Sequence, residues 1–496
     1  MLKILSSQQT NALDDFTIRH TPIASINLME AACRAFVEWY TQRFDPAQKV
    51  GIVCGTGNNG GDGLGIARIL QQASYRVNVW VVHGAAKETE DFKKNLDRLK
   101  GKVIPADFTV ASAIDVFSGC DILLDAILGS GLSRPVEGIY RQAIQSINSS
   151  PAIRVAVDIP SGLFADKHSE GDIVKADYTV SFQLPKLSFM FPENHQYVGA
   201  WEVVDIGLSK SFVGEAKSDN YYITKKSIKA ILKQRSAFAH KGDFGRALLI
   251  AGSYGKMGAC VLAARAALRS GIGLLTLHVP KVGYPIVQSA VPEAMVSVDT
   301  HSEIFSVAPS FNAFNVIGIG PGLGQAEETF PALVKVLGSG KPIVIDADAL
   351  NMIGSHKALH LIPAGSILTP HPKEFERLVG RWKDDFERLE RQIRLAKEMK
   401  CIVILKGGCT SITTPEGLTY FNSSGNPGMA TGGSGDVLTG ILTGLLAQKY
   451  SAEETAIVGV YLHGLSGDIA TREKGMNSLI ASDLIDFLPA AFKDIY

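Results

Sequence analysis

The chain has 496 residues, 46% of them hydrophobic and 20% charged, which suits folded domains and is too long for one ordinary core. Lys plus Arg and Asp plus Glu number 49 each, so no net field draws the chain to nucleic acid or an anionic membrane, and neither is expected as a partner. The six cysteines (Cys33, Cys54, Cys120, Cys260, Cys401, Cys409) make no C-x-x-C pair and no zinc spacing, which leaves them as small buried hydrophobes. The opening MLKILSSQQTNALDDF lacks the apolar stretch of a signal peptide, and no run approaches the ~18 apolar residues of a membrane span. The cytoplasm is the expected compartment.

In chain order, apolar β-branched runs predict strands at VGIVCG (50–55), YRVNVWVV (75–82), CDILLDAILG (120–129), IRVAVDIP (153–160), DYTVSF (177–182) and WEVVDIG (201–207). Segments of helical length and pattern, such as GLGIARILQQA, lie between most of them. Strand alternating with helix predicts a mostly parallel sheet covered on both faces, with ligands at the carboxyl ends of the strands. The polar stretch 208–222 reads as a linker or domain edge. A second alternating series follows at 246–253, 272–280, 314–324, 341–351, 365–375 and 401–408. The helix CVLAARAALRSG falls early in it, with Gly271 as its C-terminal stop. The halves share a class but no motif. The expectation is two α/β domains, 1–212 and 222–492, each a three-layer αβα sandwich.

The loop GTGNNGGDG (55–63) follows the first strand and satisfies G-x-G-x-x-G. Two features oppose a hydride-transfer site. The second strand ends without the acid that holds a ribose hydroxyl. The loop also carries Asn58, Asn59 and Asp62, whose oxygens suit a cation or a ligand's hydroxyls and amide, beside Gly60 and Gly61, whose N–H groups suit an anion. A tight strand-to-helix turn is the plain alternative. Asp125 and the Gly/Ser turn with Arg134 stand at one further strand end, and Asp158 and Ser161 at another. Carboxylates there are costly to bury unless they pair or bind something.

GTGNNGGDG, DAILGSGLSRP, DIPSG and SFQLPKLSF, in this order and spacing, resemble the NAD(P)HX epimerase domain. The resemblance covers essentially all of 1–210 and implies a Rossmann-like fold. It implies that hydrated nicotinamide dinucleotide contacts Asn58, Asn59, Gly60, Gly61, Asp62, Gly129, Ser130, Gly131, Leu132, Ser133, Arg134, Pro135, Tyr140 and Asp158. It implies a potassium ion near Asn59, Asp125 and Ser161, three oxygen donors suited to a hard monovalent cation. Asp158 is the candidate acid or base, with Lys186 second.

In the second half, NPGMATGGSGDVLTG (426–440) brings Gly432, Gly433, Ser434 and Gly435 to the start of a helix-like run, the makings of an anion hole. Asp436 beside it makes sense as a general base for a hydroxyl nucleophile and little sense as a phosphate ligand. ILKGGCT offers Lys406 and Thr410 to a nucleotide. GIGPGLG (318–324) is another glycine-rich strand end, and ILTPHPKEF puts His371 and Glu374 on a strand-to-helix turn; each has a plain structural reading too. No G-x-x-x-x-G-K-[ST] is present.

HKGDFGRALLIAGS, GPGLG, DADALN, TPHPKEF, KGG and GMATGGSGDVLTG resemble the ribokinase-like superfamily, and within it the ADP-dependent NAD(P)HX dehydratase. Ser434 stands where Thr is frequent, and Cys409 lies inside the KG-x-x-T stretch. The resemblance implies that ADP contacts Lys406, Gly407, Gly408, Cys409, Thr410, Gly432, Gly433, Ser434 and Gly435, with magnesium neutralising its phosphates. It implies that the hydrated dinucleotide contacts Ala259, Gly322, Gly324, His371 and Asp436, and that the chain forms a homo-oligomer. A vitamin-precursor kinase with an N-terminal binding module shares the second glycine site but leaves the first-half motifs unexplained. A nucleotide-sensing first domain without turnover is the non-enzymatic alternative.

Overall fold

A computed structural model describes residues 1–21, 23–84, 87–109 and 116–496. The chain divides into two compact units, Leu2–Ser218 with Asp384–Phe386, and Met1, Asp219–Lys383 and Glu387–Tyr496.

The first unit contains strands β1 (Leu2–Ile4), β2 (Lys49–Cys54), β3 (Arg76–Val81), β4 (Ala106–Asp107), β5 (Ile122–Ala126), β6 (Ile153–Val157), β7 (Tyr178–Phe182) and β8 (Ala200–Val204). Seven of these form one parallel sheet in the order β4-β3-β2-β5-β6-β7-β8. Successive side chains of a strand point to opposite faces, so a strand buried on both sides needs a near-continuous apolar run. β5 shows this. Ile122, Leu124 and Ala126 join one core with Val50, Ile52 and Leu64, while Leu123 joins another with Val53, Ile144 and Ile147. The helices Ser25–Thr41 and Asn58–Gln72 cover the first face, and Gly138–Ser149 covers the second. The strand order reverses between β2 and β5, which is where such sheets open a crevice for a ligand.

The second unit holds β9 (Asn220–Tyr222), β10 (Arg246–Ile250), β11 (Leu274–Val279), β12 (Met295–Val298), β13 (Val316–Ile319), β14 (Ile343–Ile345), β15 (Ile367–Leu368), β16 (Ile402–Leu405), β17 (Ser411–Thr413) and β18 (Thr419–Phe421). Within the unit their order is β9-β18-β17-β16-β15-β14-β13-β10-β11-β12. The ladder from β12 to β16 is parallel, so five consecutive strand ends, those of β10, β13, β14, β15 and β16, share one edge. β17 and β18 add an antiparallel hairpin. Helices Met257–Arg269, Ser434–Ala447, Ala452–Lys474 and Ala481–Ile495 pack on one face, and Thr329–Leu337, Ala347–Ser355 and Pro372–Val379 on the other.

The predicted strands of both halves are present. Gly271 follows the helix Met257–Arg269 with φ +99°, as a left-handed stop requires. The stretch 208–222 is not plain linker. It folds into the helix Lys210–Glu215, capped by the Ser209 hydroxyl, and into β9. Both are too short to show a period. None of the six cysteines is in a disulfide; four are buried and two half-buried. Among the described residues no helix is long and apolar enough to cross a membrane.

Candidate functional site

In the first unit the strand ends bring the sequence motifs together. The helix Asn58–Gln72 starts directly after β2, and no side chain caps its first turn, which leaves the turn's N–H groups free for a ligand. A Cβ at Gly60 would land on the Gly55 carbonyl oxygen, so only glycine lets the helix begin this close to the strand. Asn59 is buried. Its Nδ2 donates to the Val157 carbonyl at 3.1 Å, and its Oδ1 has no partner. Gly129, opening the loop after β5, faces the Asn59 side chain. Asp125 is fully buried and accepts from Ser161 N at 2.7 Å, Ser161 Oγ at 2.6 Å and Ile127 N at 3.3 Å. Burial pushes the Asp125 carboxyl up to about 6, against the pull of these hydrogen bonds.

Asp158 directly follows β6 with φ +70°, a left-handed conformation that Asp tolerates better than most residues. Its Oδ1 accepts from Phe182 N at 2.9 Å and from the buried Lys186 ammonium, which also donates to Ser181 Oγ at 2.7 Å. Burial raises Asp62 well above the usual carboxylate range, helped by the fields of Asp158, Asp14 and Asp91. Ser130 to Pro135 continue the loop after β5, with Arg134 exposed and the Ser133 carbonyl taken by Lys167 at 2.7 Å. Tyr140, on the helix Gly138–Ser149, lays its ring where a Cβ at Gly84 would sit.

Sequence reasoning missed Asp14, on the helix Ser7–His20. Burial and the negative field of Asp158 push its carboxyl up to about 7, against the Lys186 charge. No glycine or motif marks it in the sequence.

In the second unit, Gly433 takes φ +91° and starts the helix Ser434–Ala447 with no side-chain cap. Gly435 lies against the Lys406 ammonium, where a Cβ would come within 3.4 Å. Lys406 donates to Asp346 Oδ1 at 2.9 Å and lies 3.9 Å from Glu374 Oε2. Burial alone would lower the lysine, but Asp346 and Glu374 outweigh it and hold the ammonium above its ordinary value. Thr439 Oγ1 donates to Asp346 Oδ2 at 2.6 Å. Burial first, then Asp346, push the Asp436 carboxyl up to about 6. A carboxylate that takes a proton near neutrality suits a general base.

Gly407, Gly408 and Gly432 have open space where a Cβ would go, so packing does not explain them. Thr410 Oγ1 closes the Gly407–Thr410 turn, accepting from Gly407 N at 3.2 Å, and Cys409 turns its thiol to the Asn422 carbonyl at 3.4 Å. His371 caps the helix Pro372–Val379. Its Nδ1 accepts from Lys373 N at 3.0 Å, which leaves the proton on Nε2, and Glu374 reaches back to His371 N at 2.8 Å. On the other side, a Cβ at Gly322 would meet Ala259 at 3.0 Å, and Gly324 N donates to Asp348 Oδ2 at 2.8 Å. Asp346 was missed as a site residue, although an acid closing the apolar run PIVID repeats the pattern of Asp125 and Asp158. His463, which holds the Ser434 carbonyl at 3.0 Å, and the Lys256–Asp348 pair were missed as well.

Among the described residues no three His, Cys, Asp or Glu side chains converge tightly enough for an all-protein metal cage. The set Asp346, Glu374 and Asp436 with one lysine is instead suited to magnesium carried largely on nucleotide phosphates and water.

Comparison with known proteins matches residues 247–490 to the family described as NAD(P)H-hydrate dehydratase and residues 25–188 to the YjeF-related protein N-terminus. The bifunctional NAD(P)H-hydrate repair enzyme Nnr of Moorella thermoacetica is 35% identical, the match covering 99% of this chain and 97% of that protein. The chain belongs to the bifunctional NAD(P)H-hydrate repair enzyme family. Among solved structures, this member of the repair family resembles the ADP/ATP-dependent NAD(P)H-hydrate dehydratase of Bacillus subtilis co-crystallized with ATP/Mg2+, with TM-score 0.50, 32% identity, and coverage of 56% of this chain and 99% of that one. A ribokinase-like superfamily protein of Enterococcus faecalis V583 matches with TM-score 0.50, 29% identity, and coverage of 56% and 98%. The dehydratase half of the repair-family chain is therefore ribokinase-like, as its glycine motifs implied.

Proposed function

We propose that the chain repairs hydrated nicotinamide dinucleotides in two reactions. The first domain, 1–212, interconverts the R and S epimers of NAD(P)HX, and the second, 222–492, dehydrates the S epimer to NAD(P)H with ADP as phosphoryl donor. The full-length match to a bifunctional repair enzyme carries this reading, and the local geometry supports the chemistry. The hydrate bears a hydroxyl on C6 of the reduced ring, and hydroxide leaves poorly. Asp436 takes the hydroxyl proton as the oxygen attacks the β-phosphorus of ADP; the P–O bond to AMP breaks and AMP departs. The phosphate ester then leaves C6 with its electron pair, pushed by the ring nitrogen, and loss of the C5 proton restores the C5–C6 double bond. The uncapped N–H groups after Gly433 and the Lys406 ammonium hold the phosphoryl oxygens. Magnesium, when bound, supplies positive charge to the transferred phosphoryl.

In the first domain Asp158 is the acid or base, held and oriented by Lys186. Asn59, Asp125 and Ser161 would hold potassium: the unpartnered Asn59 oxygen and the buried Asp125 carboxyl, with no cation among the groups acting on it, support that assignment. When bound, it supplies positive charge beside the substrate's phosphates. The same reading makes the enzyme a cytoplasmic homo-oligomer, which light scattering and cell fractionation test. The deciding experiment mixes the chain with R/S-NAD(P)HX and ADP and follows reduced-nicotinamide absorbance. Full recovery is expected, with half recovery in Asp158→Ala; no recovery by folded protein overturns the reading.

A further inference from the structure

The proposed substrate side of the dehydratase site, Ala259, Gly322, Gly324, His371 and Asp436, offers no fixed positive charge, yet a dinucleotide hydrate brings at least two phosphate charges. Lys406 is already engaged by Asp346 on the nucleotide side. Arg377 acts on the His371 side of this set; on the Gly322–Gly324 side a cation comes from the loop Ser253–Tyr254–Gly255–Lys256, which leads into the helix Met257–Arg269. No side chain caps that helix, and Gly258 in its first turn has open space where a Cβ would go. Gly322 packs on this loop: a Cβ there would meet the Lys256 carbonyl at 2.7 Å. The Lys256 side chain is 53% exposed, with its ammonium 3.3 Å from Asp348 Oδ2. That same oxygen accepts the Gly324 N–H at 2.8 Å, and Gln325 holds the other at 3.0 Å. A cation and an amide from the two flanks of the substrate turn thus converge on one anionic oxygen.

We propose that Lys256 is the substrate-side phosphate-binding residue of the dehydratase, exchanging Asp348 for a phosphate of the hydrated dinucleotide when substrate enters. Asp348 keeps Gly324 and Gln325 and so holds the turn open meanwhile. Asp348 and the ligand compete for the ammonium alone, and the diphosphate as a whole, or a dianionic 2′-phosphate, presents more negative charge to it than the single carboxylate does. The inference rests on the dehydratase reading. The phosphate belongs either to the bridging diphosphate, common to both cofactors, or to the 2′-phosphate of NADPHX alone.

The test uses the full chain with Lys256→Ala and Lys256→Arg. At saturating ADP, Lys256→Ala raises KM for the hydrate about ten- to a hundredfold, with kcat within about twofold, as loss of a charged contact made equally in ground and transition states does. The ADP KM stays unchanged, and Lys256→Arg restores most of the loss. An equal rise for S-NADHX and S-NADPHX identifies the diphosphate; a rise for S-NADPHX alone identifies the 2′-phosphate. Unchanged KM for both, or parallel loss of kcat and ADP affinity, overturns the proposal. Calorimetric titration with NADPH reads the same contact without turnover, so a wild-type chain that fails to dehydrate the hydrate sinks the dehydratase reading separately.

Discussion

Asp436 connects the electrostatics of the second unit to a measurable rate. Its carboxyl is pushed from the usual range up to about 6, by burial first and by Asp346 second, with Lys406 opposing and Asp348 adding. The displacement is worth about 3 kcal/mol between the protonated and ionised forms. A general base works only when ionised, so kcat/KM, which reports ionisations of the free enzyme, rises with pH and reaches half its plateau near pH 6. Asp346→Asn tests the cause. The substitution keeps the shape and an oxygen for Lys406, removes one negative charge, and leaves the Lys406 cation less neutralised. Both changes favour ionised Asp436. A charge at several Å in an effective dielectric near 20 is worth about 1–2 kcal/mol, so the midpoint falls to about pH 5. Wild type and variant share the same buffers and nucleotide, which removes the ionisation of ADP from the comparison. Thr439→Val, which takes one hydrogen bond from Asp346 without changing charge, serves as the control and moves the midpoint little. A midpoint that stays near 6 in Asp346→Asn refutes Asp346 as a cause; a plateau rate surviving in Asp436→Asn refutes the base.

Asp14 makes a stability prediction. Its folded carboxyl lies near 7, above the unfolded value of 3.8, so its favourable contribution is present below the unfolded value and is lost as pH rises through 7. Asp14→Asn therefore stabilises increasingly from pH 4 to 7 and reaches a plateau on the order of 2–4 kcal/mol; a pH-independent change in urea midpoint contradicts the coupling. For potassium, thermal unfolding of the first domain shifts upward in KCl relative to LiCl, and Asn59→Leu abolishes that difference; equal shifts in both salts count against the site. Gly60→Ala drives a methyl group into the Gly55 carbonyl, a backbone atom that cannot step aside, and costs about 3 kcal/mol or more. Denaturant unfolding that matches wild type rules out the clash.

The long central strands are legible because burial on both faces demands apolar runs such as those of β2, β10 and β13, and β5 is broken only by its buried site residue Asp125. The pieces that escape notice are short or at an edge: β4 has two residues, β12 is half-exposed, and the β17–β18 hairpin is three residues per strand. Glycines without a packing purpose, Gly407, Gly408 and Gly432, are legible too, because their excess over turn requirements shows in the letters. Pairings across the chain are not. Lys256 meets Asp348 from 92 positions away, and Asp14 feels Asp158 from a helix that carries no motif at all. Such encounters depend on which strand ends adjoin, a fact fixed by sheet order and absent from any local pattern.

The left-handed backbone at Asp158 limits how this position can change. Asparagine shares both the shape of Asp and its ease in that conformation, while bulkier or branched residues would have to twist the end of β6. The replacement most readily accepted by the fold is therefore one that silences the proposed proton transfer. A lineage could lose the proposed interconversion of the epimers while keeping a folded first domain and the proposed Asn59–Asp125–Ser161 cation site. Such a descendant would still bind damaged cofactor without acting on it, and would read as a sensor by every measure of structure.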